Sequence, residues 1–457
     1  MGGSEGERDL PLNNMSYKQK VIKTLRCRNQ QQIGVLDKVI HAIASQGGDI
    51  GDIRTLTLET FHTVRDISII CNDEAQLERI VQAVRAVKET TLEAVVDDVM
   101  ELHRHGKILV VPRNPVKTVE DLRKVYTPGV AAISKMIQAD PGSAYEFTSI
   151  GRTVALVTNG SRVLGLGNIG PVAAMPVMEG KSALFSQFSG FNMIPILCDT
   201  LDPKQFIETV VTISKGFAAI QLEDIQTPDC FEIEEQLIKK LSIPVMHDDQ
   251  HGTAVVSLAA ALNACRIVGK DFKKVKIGQI GLGAAGSAIA RLIMHYTGKS
   301  VLGSDIQDYS KKRFQKMGGE IAASIEELMK KTDVVIATTG QSGLIKSESV
   351  REGQVILALS NPYPEISIED ALKAGAGFAS DGSRVNNLLG YPGILKGSIE
   401  AGAKRITESM YIAAAEAIVR HTPEKELVPD PLDPTLHEQV AKAVSKAAVK
   451  RSHSSSS

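Results

Sequence analysis

Two carboxylate pairs, Glu223-Asp224 and Asp248-Asp249, precede a glycine-rich string, GLGAAG, at Gly281 to Gly286. Paired acids offer the hard oxygen ligands that a divalent cation such as Mg²⁺ or Mn²⁺ prefers. The glycine spacing is the kind that lets backbone approach a dinucleotide pyrophosphate. A chain carrying both is expected to oxidise a substrate that the cation also grips. Taken alone, each acid pair reads equally well as a helix cap or a turn. A further candidate is Lys181, in VMEGK, set among apolar side chains and glycines. Such surroundings disfavour the ammonium and move a lysine toward ~7 to 8, where it acts as a base. Tyr126, in YTPGVA, adds a phenol beside a proline-glycine turn. His247 and His251 flank the second acid pair, but no cysteine or third histidine joins them. Hydrogen-bonded packing is therefore expected for them rather than a zinc site.

The glycines need a strand before them and a helix after them. Gly281, Gly283 and Gly286 follow the apolar run Lys276 to Ile280 and precede SAIARLIMHY, which meets both conditions. Asp305 ends the next strand, about 20 residues further on, where a carboxylate bonds a ribose 2′-hydroxyl and repels a 2′-phosphate. This favours NAD over NADP. Lys311, Lys312 and Arg313 offer a competing clasp for that phosphate, although a solvated helix face is their expected role. The cofactor-binding residues are expected to be Gly281, Gly283, Ala284, Ala285, Gly286, Asp305, Thr338 and Asn361. Asn361 ends the buried run Val355 to Leu359, at the carboxyl edge where such a sheet presents its ligands.

From Ala264 onward a strand-helix rhythm (VKIGQIG, SVLGSD, DVVIATTG, QVILALSNP, GFASDG) predicts a doubly wound parallel sheet. Met100 to Leu262 mixes helical stretches with apolar strands, and its glycines and prolines crowd between Asn159 and Gly190. Such punctuation marks loops that approach a ligand. Ahead of it, Val21 to Asp98 alternates strand and helix patterns in the order βαββαβ, a ferredoxin-like module. The expected division is a disordered tail over 1–18, a small module over 19–99, a mixed α/β substrate and metal domain over 100–262, a Rossmann-like cofactor domain over 263–445 and a disordered tail over 446–457. Neither tail has enough apolar surface to offset chain entropy.

With 52 basic residues against 53 acidic ones, no global field steers the chain toward nucleic acid or a lipid surface. The five cysteines lack C-x-x-C spacing, as expected in a reducing cytosol. No apolar run is long enough to span a bilayer, and the first residues lack the apolar core of a signal peptide. A cytoplasmic protein acting on small molecules is expected.

In order, YTPGVA, NGSRVLGLGNIGP, VMEGK, QLEDI, HDDQHGTA, GLGAAG and ALSNP resemble the malic enzymes of the shorter bacterial kind, over about Glu101 to Val440. The module before them resembles an ACT domain, which implies a small-molecule effector and regulation; Gly34 is its permissive backbone point. The malic enzyme resemblance implies roles position by position. Lys181 matches the general base, Tyr126 the acid that protonates the enol, and Asp248 the carboxylate that supports Lys181. Glu223, Asp224 and Asp249 match the metal ligands. Arg162 matches the cation that holds a substrate carboxylate, and Asn361 with Asn387 the amides that bond the same substrate. Asn192 departs from the aspartate expected there, while Met246-His247 support the bacterial grouping over the longer animal type. The reaction implied is oxidative decarboxylation of (S)-malate to pyruvate and CO₂ with NAD and Mg²⁺ or Mn²⁺, by a homodimer. The rival readings are malolactic conversion to lactate with retained NAD, a metal-free amino-acid dehydrogenase, and a non-catalytic metabolite sensor.

Overall fold

The computed structural model describes residues 20–163 and 165–452. The tail expected over 1–18 lies outside them, as do the last residues of the C-terminal one. The chain forms two compact units, the first ending at Lys107 and the second beginning at Ile108.

In the first unit the strands are β1 (Val21–Gln30), β2 (Asp49–Leu58), β3 (His62–Cys71) and β4 (Thr90–Asp97), with helices Val35–Ala44 and Glu74–Arg85 between them. The sheet is antiparallel in the order β2-β3-β1-β4. This is the βαββαβ arrangement expected from the alternating pattern. Residues one apart point to opposite faces of a strand, so Leu25 and Cys27 of β1 turn inward with Ile67 and Ile69 of β3. The two helices close over that face with Val39, Ile43, Ile80 and Val84.

The second unit holds two parallel sheets. In the first, β5 (Thr153–Thr158), β6 (Asn192–Leu197), β7 (Ala219–Leu222) and β8 (Val245–His247) are ordered β6-β5-β7-β8. Every residue of β5, β7 and β8 is buried, which is why these segments read as continuous apolar runs rather than alternating ones. The second comprises β9 (Ile277–Ile280), β10 (Leu302–Ser304), β11 (Glu320–Ile321), β12 (Val334–Ala337), β13 (Val355–Ala358) and β14 (Phe378–Asp381). Their order, β11-β10-β9-β12-β13-β14, is that of a doubly wound dinucleotide fold, with the strand order reversing beside β9.

Between the sheets runs the helix Asp248–Ile267, buried on nearly all sides, as its largely apolar circumference requires. Its side chains share one core with Val154 and Met193 of the first sheet and with Ile277, Val334 and Val355 of the second.

The C-terminal helix, Pro434–Ser452, corrects the tail expected from residue 446. AKAVSKAAVK is rich in strong helix formers. Packing then holds the helix in place, because Val440 and Val444 are fully buried and Ala447 and Ala448 pack against the same core. Its partner is the helix Tyr391–Glu400, and a Cβ added at Gly397 would lie 2.3 Å from the Ala441 carbonyl oxygen. Gly397→Val should therefore lower stability by roughly 1–3 kcal/mol or more through overpacking. A urea titration checks this, and an unchanged midpoint would contradict the close helix contact.

Candidate active site

The acids converge because two neighbouring strands end together. β7 stops at Leu222 and the chain continues into Glu223 and Asp224; β8, its parallel neighbour, stops at His247 and continues into Asp248 and Asp249. All four acids thus emerge at one carboxyl edge. Carboxylate oxygens of Glu223, Asp224 and Asp249 lie within 4.8 Å of one another. Asp224 adopts a left-handed backbone, φ 54°, uncommon for a residue with a Cβ. It is held there by its N–H, which donates to Asp249 Oδ2 at 2.9 Å, and by its carbonyl, which accepts from the Arg162 N–H at 3.1 Å.

Burial, followed by the charge of Asp249, pushes the Asp224 carboxyl up to about 7. Burial also raises Glu223 well above the usual carboxylate range, against the pull of Lys181. Asp249 goes the other way: burial would raise it, but His247, whose Nε2 lies 3.1 Å from Asp249 Oδ2, brings it to about 2. Asp224 Oδ2 is buried with no partner. A buried acceptor without a donor, among acids that resist ionising together, fits a cation ligated by oxygen.

Lys181 projects from the helix Gly170–Ser189. Its Nζ donates to Glu223 Oε1 and, at 2.5 Å, to Asp248 Oδ2. The expectation of a lowered lysine pKa is corrected here. Burial does pull it down, but the charges of Asp248, Glu223 and Asp249 together outweigh burial and raise it well above its ordinary value. Apolar neighbours in sequence do not reveal carboxylates that arrive from other strands.

Asp248 is itself held by Asn387, whose Nδ2 donates to Asp248 Oδ2 at 3.1 Å and whose Oδ1 accepts from Thr253 Oγ1 at 3.2 Å. Asn387 therefore belongs to the cluster, bonded to the acid that carries Lys181. Arg162 lies beside it in chain contact with Asp224, its guanidinium exposed and donating to Thr227 Oγ1 at 3.3 Å. Asn361 is exposed at the end of β13, where its Nδ2 donates to the Gly382 carbonyl at 3.2 Å.

Tyr126 is not brought to the cluster. It ends the short helix Val119–Val125 with 68% of its surface exposed, and its hydroxyl bonds none of the described residues. A tyrosine that does reach Lys181 is Tyr391. Its hydroxyl donates to the Lys181 carbonyl at 3.0 Å, its ring centroid lies 5.1 Å from Lys181 Nζ, and its other neighbour is the Phe185 ring. Its sequence signal is the string NLLGYPG, which opens with Asn387 and carries the tyrosine four residues on.

The glycine loop has the expected form. Gly281 has φ +83°, and a Cβ added at Gly286 would lie 1.9 Å from the Gly281 carbonyl oxygen, so helix and strand close only around glycine. Asp305 Oδ2 accepts from the Leu282 N–H at 2.6 Å and Oδ1 from the Gln307 N–H at 2.7 Å. Thr338 follows β12, packs its carbonyl against Gly281 and accepts from Gln279 Nε2 at 3.0 Å. Ala284, which with Ala285 opens the following helix, packs into an apolar cluster with Leu222 and Ile225, the residues that bracket Glu223 and Asp224. The loop and the acids are thereby fixed to each other. Of the basic trio, Lys311 pairs with Asp308 at 2.8 Å, whereas Arg313 departs from the solvated role expected of it and lies over the Phe231 ring. His251 packs as expected, 3.0 Å from Glu234 Oε2 and stacked on Tyr411 at 4.8 Å.

Comparison with known proteins agrees with this geometry. Residues 105–238 match the malic enzyme N-terminal domain family and residues 377–453 the malic enzyme NAD binding domain family. Residues 276–374 match the NAD binding domain of 6-phosphogluconate dehydrogenase. NAD-dependent malic enzyme 1 of Bacillus subtilis is 50% identical over 430 residues, covering 94% of this chain and 98% of the relative. The bifunctional malic/malolactic enzyme of the same organism is 39% identical over 77% of this chain and 93% of its own. Among solved structures, malic enzyme from Pyrococcus horikoshii is 40% identical and superposes with a TM-score of 0.71, covering 76% of this chain and 88% of that one. With half its residues shared with a relative matched almost end to end, and with acids, lysine and glycine loop assembled at adjoining sheet edges, this chain belongs to the malic enzyme family.

Proposed function

We propose that the protein converts (S)-malate to pyruvate and CO₂ by NAD-dependent oxidative decarboxylation with Mg²⁺ or Mn²⁺. The observation that carries this reading is the single ammonium of Lys181 set between Glu223 and Asp248 at the edge of a three-carboxylate cluster. Glu223, Asp224 and Asp249 would hold the cation, and the loop Gly281 to Gly286 with Asp305 the dinucleotide. When bound, the cation contributes positive charge beside the reacting oxygen and NAD a hydride acceptor.

The chain's own residues do the rest. Arg162 binds a malate carboxylate through its planar fork, with Asn361 and Asn387 donating amide hydrogens to the substrate. Lys181 first passes its own proton to the carboxylate of Asp248 and then, as the neutral amine, accepts the proton of the C2 hydroxyl; Tyr391, bonded to its carbonyl, keeps it in place. After CO₂ departs, Tyr126 returns a proton to C3. The N-terminal unit is an ACT-like regulatory module for a small effector in this reading, supported by its βαββαβ topology. A cytoplasmic setting is supported by five cysteines that are all buried and free; no described helix is long and apolar enough to cross a membrane.

In this reading a homodimer supplies Tyr126. The stretch that carries it leaves Leu109, Val110, Val119, Val125 and Phe147 exposed as well, an apolar surface of the kind that a protein partner covers. A second copy covering this arm would place Tyr126 at a neighbouring cluster.

With malate, Mn²⁺ and NAD, the protein should release NADH and pyruvate in equal amounts; lactate without net NADH would contradict the assignment. Lys181→Met should lower kcat by roughly 10²–10⁴-fold, the usual contribution of a general base, while NAD still binds. A variant that turns over normally would remove Lys181 from its role. Tyr126→Phe should also be nearly inactive. Co-expressed with Lys181→Met under a separate tag, it should regain up to about a quarter of wild-type activity, because an isologous heterodimer has one intact site. No recovery in purified heterodimers would contradict supply of Tyr126 by the partner.

A further inference from the structure

A second concave site lies behind the acid cluster. It is a cavity of about 560 Å³, within the range of small-molecule pockets, bounded by the helices Asp229–Lys240, Ala284–Thr297 and Asp308–Lys316 and by the start of Glu408–His421. None of the glycine-loop residues or metal-cluster acids lines it.

Acids outnumber arginines in its lining, but Glu234 and Glu408 are already engaged. The carboxylate of Glu234 is already occupied, accepting from the His247 N–H at 2.8 Å and Gln250 Nε2 at 2.9 Å, with His251 Nε2 at 3.0 Å. Glu408 is paired with Arg291 at 3.0 Å. Arg313 is left over. Its guanidinium lies 3.4 Å above the Phe231 ring centroid, no carboxylate among the described residues pairs with it, and its Nη1 is buried with no partner, as is Arg291 Nε. Burial lowers the Arg313 pKa, and Arg291 lowers it further against the opposing pulls of Tyr309 and Glu234, so two guanidiniums act on each other while Glu408 is paired with Arg291 alone. A cation withdrawn from water without a counter-charge is costly unless something anionic meets it.

We propose that this cavity is a ligand site for a small molecule with a single carboxylate or phosphate head, anchored by Arg313 and Arg291 and walled by the rings of Phe231 and Tyr411. Planar guanidinium groups match the oxygens of either head. Exposed acids at the rim, Glu232 and Glu235, repel a ligand with several negative charges and restrict the site to compact ones. The floor of the site is Glu234, which also fixes the His247 backbone beside Asp249, so an occupant touches the support of the metal acids.

The test is calorimetric titration of the full-length protein with inorganic phosphate and, separately, with acetate, under saturating NAD so that the glycine loop is filled. At least one anion should bind, and the stronger of the two identifies the head group. Arg313→Gln should weaken that binding by about tenfold or more, as expected for loss of a charge-assisted fork, with NAD affinity unchanged as the check on folding. Arg313→Lys, which keeps the charge and the fold, should weaken it less. The proposal is overturned by the absence of heat with both anions, or by wild-type affinity in both variants. Because the readout is binding and not turnover, its failure would leave the malate assignment untouched.

Discussion

Everything in the second unit answers to one electrostatic constraint: three carboxylates must stay together although two of them, Glu223 and Asp224, are buried. Desolvated like charges repel strongly, and each would take up a proton if left alone. Several features offset that tendency. Lys181 stands against Glu223, His247 against Asp249, and the helix that begins at Asp248 directs its positive end at the second acid pair. The buried oxygens left without a donor are Asp224 Oδ2 and Asp248 Oδ1, and a divalent cation at the first would complete the cluster.

The fold serves this constraint through strand ends. Parallel strands β7 and β8 deliver their acids side by side, and the helix leaving β8 runs as a largely buried rod toward the second parallel sheet. The contact of Ala284 with Leu222 and Ile225 ties the dinucleotide loop to the strand that carries two of the acids. Cofactor and cation sites are therefore positioned by backbone elements and core packing rather than by mobile side chains. Tyr391 and Asn387 extend the same logic to Lys181, one holding its backbone and the other Asp248.

What could be read from the sequence was whatever is local. Glycine spacing after an apolar strand, the acid Asp305 ending the next strand and the alternation of the first unit each leave a signature within a few residues, and the structure reproduces those elements. Properties that depend on distant segments were not legible. Lys181 sits among apolar neighbours in sequence, yet its pKa is governed by carboxylates from β7 and β8. Arg313 reads as one of three solvated cations until the helix Asp229–Lys240 places Phe231 beneath it. Tyr126 carries the family motif, but its side chain stays exposed and apart from the acid cluster. From residue 446 the C-terminal helix reads as a polar tail until Ala447 and Ala448 reach the core that Val440 and Val444 enter.

The most direct test of the central claim is Mn²⁺ binding measured by calorimetry on the wild type, Asp249→Asn and Asp305→Asn. The account predicts one strong site per chain, weakened by roughly 100-fold or more when a ligand carboxylate is neutralised, and unchanged by the substitution at the dinucleotide loop. Equal Mn²⁺ affinity in the wild type and Asp249→Asn would contradict it.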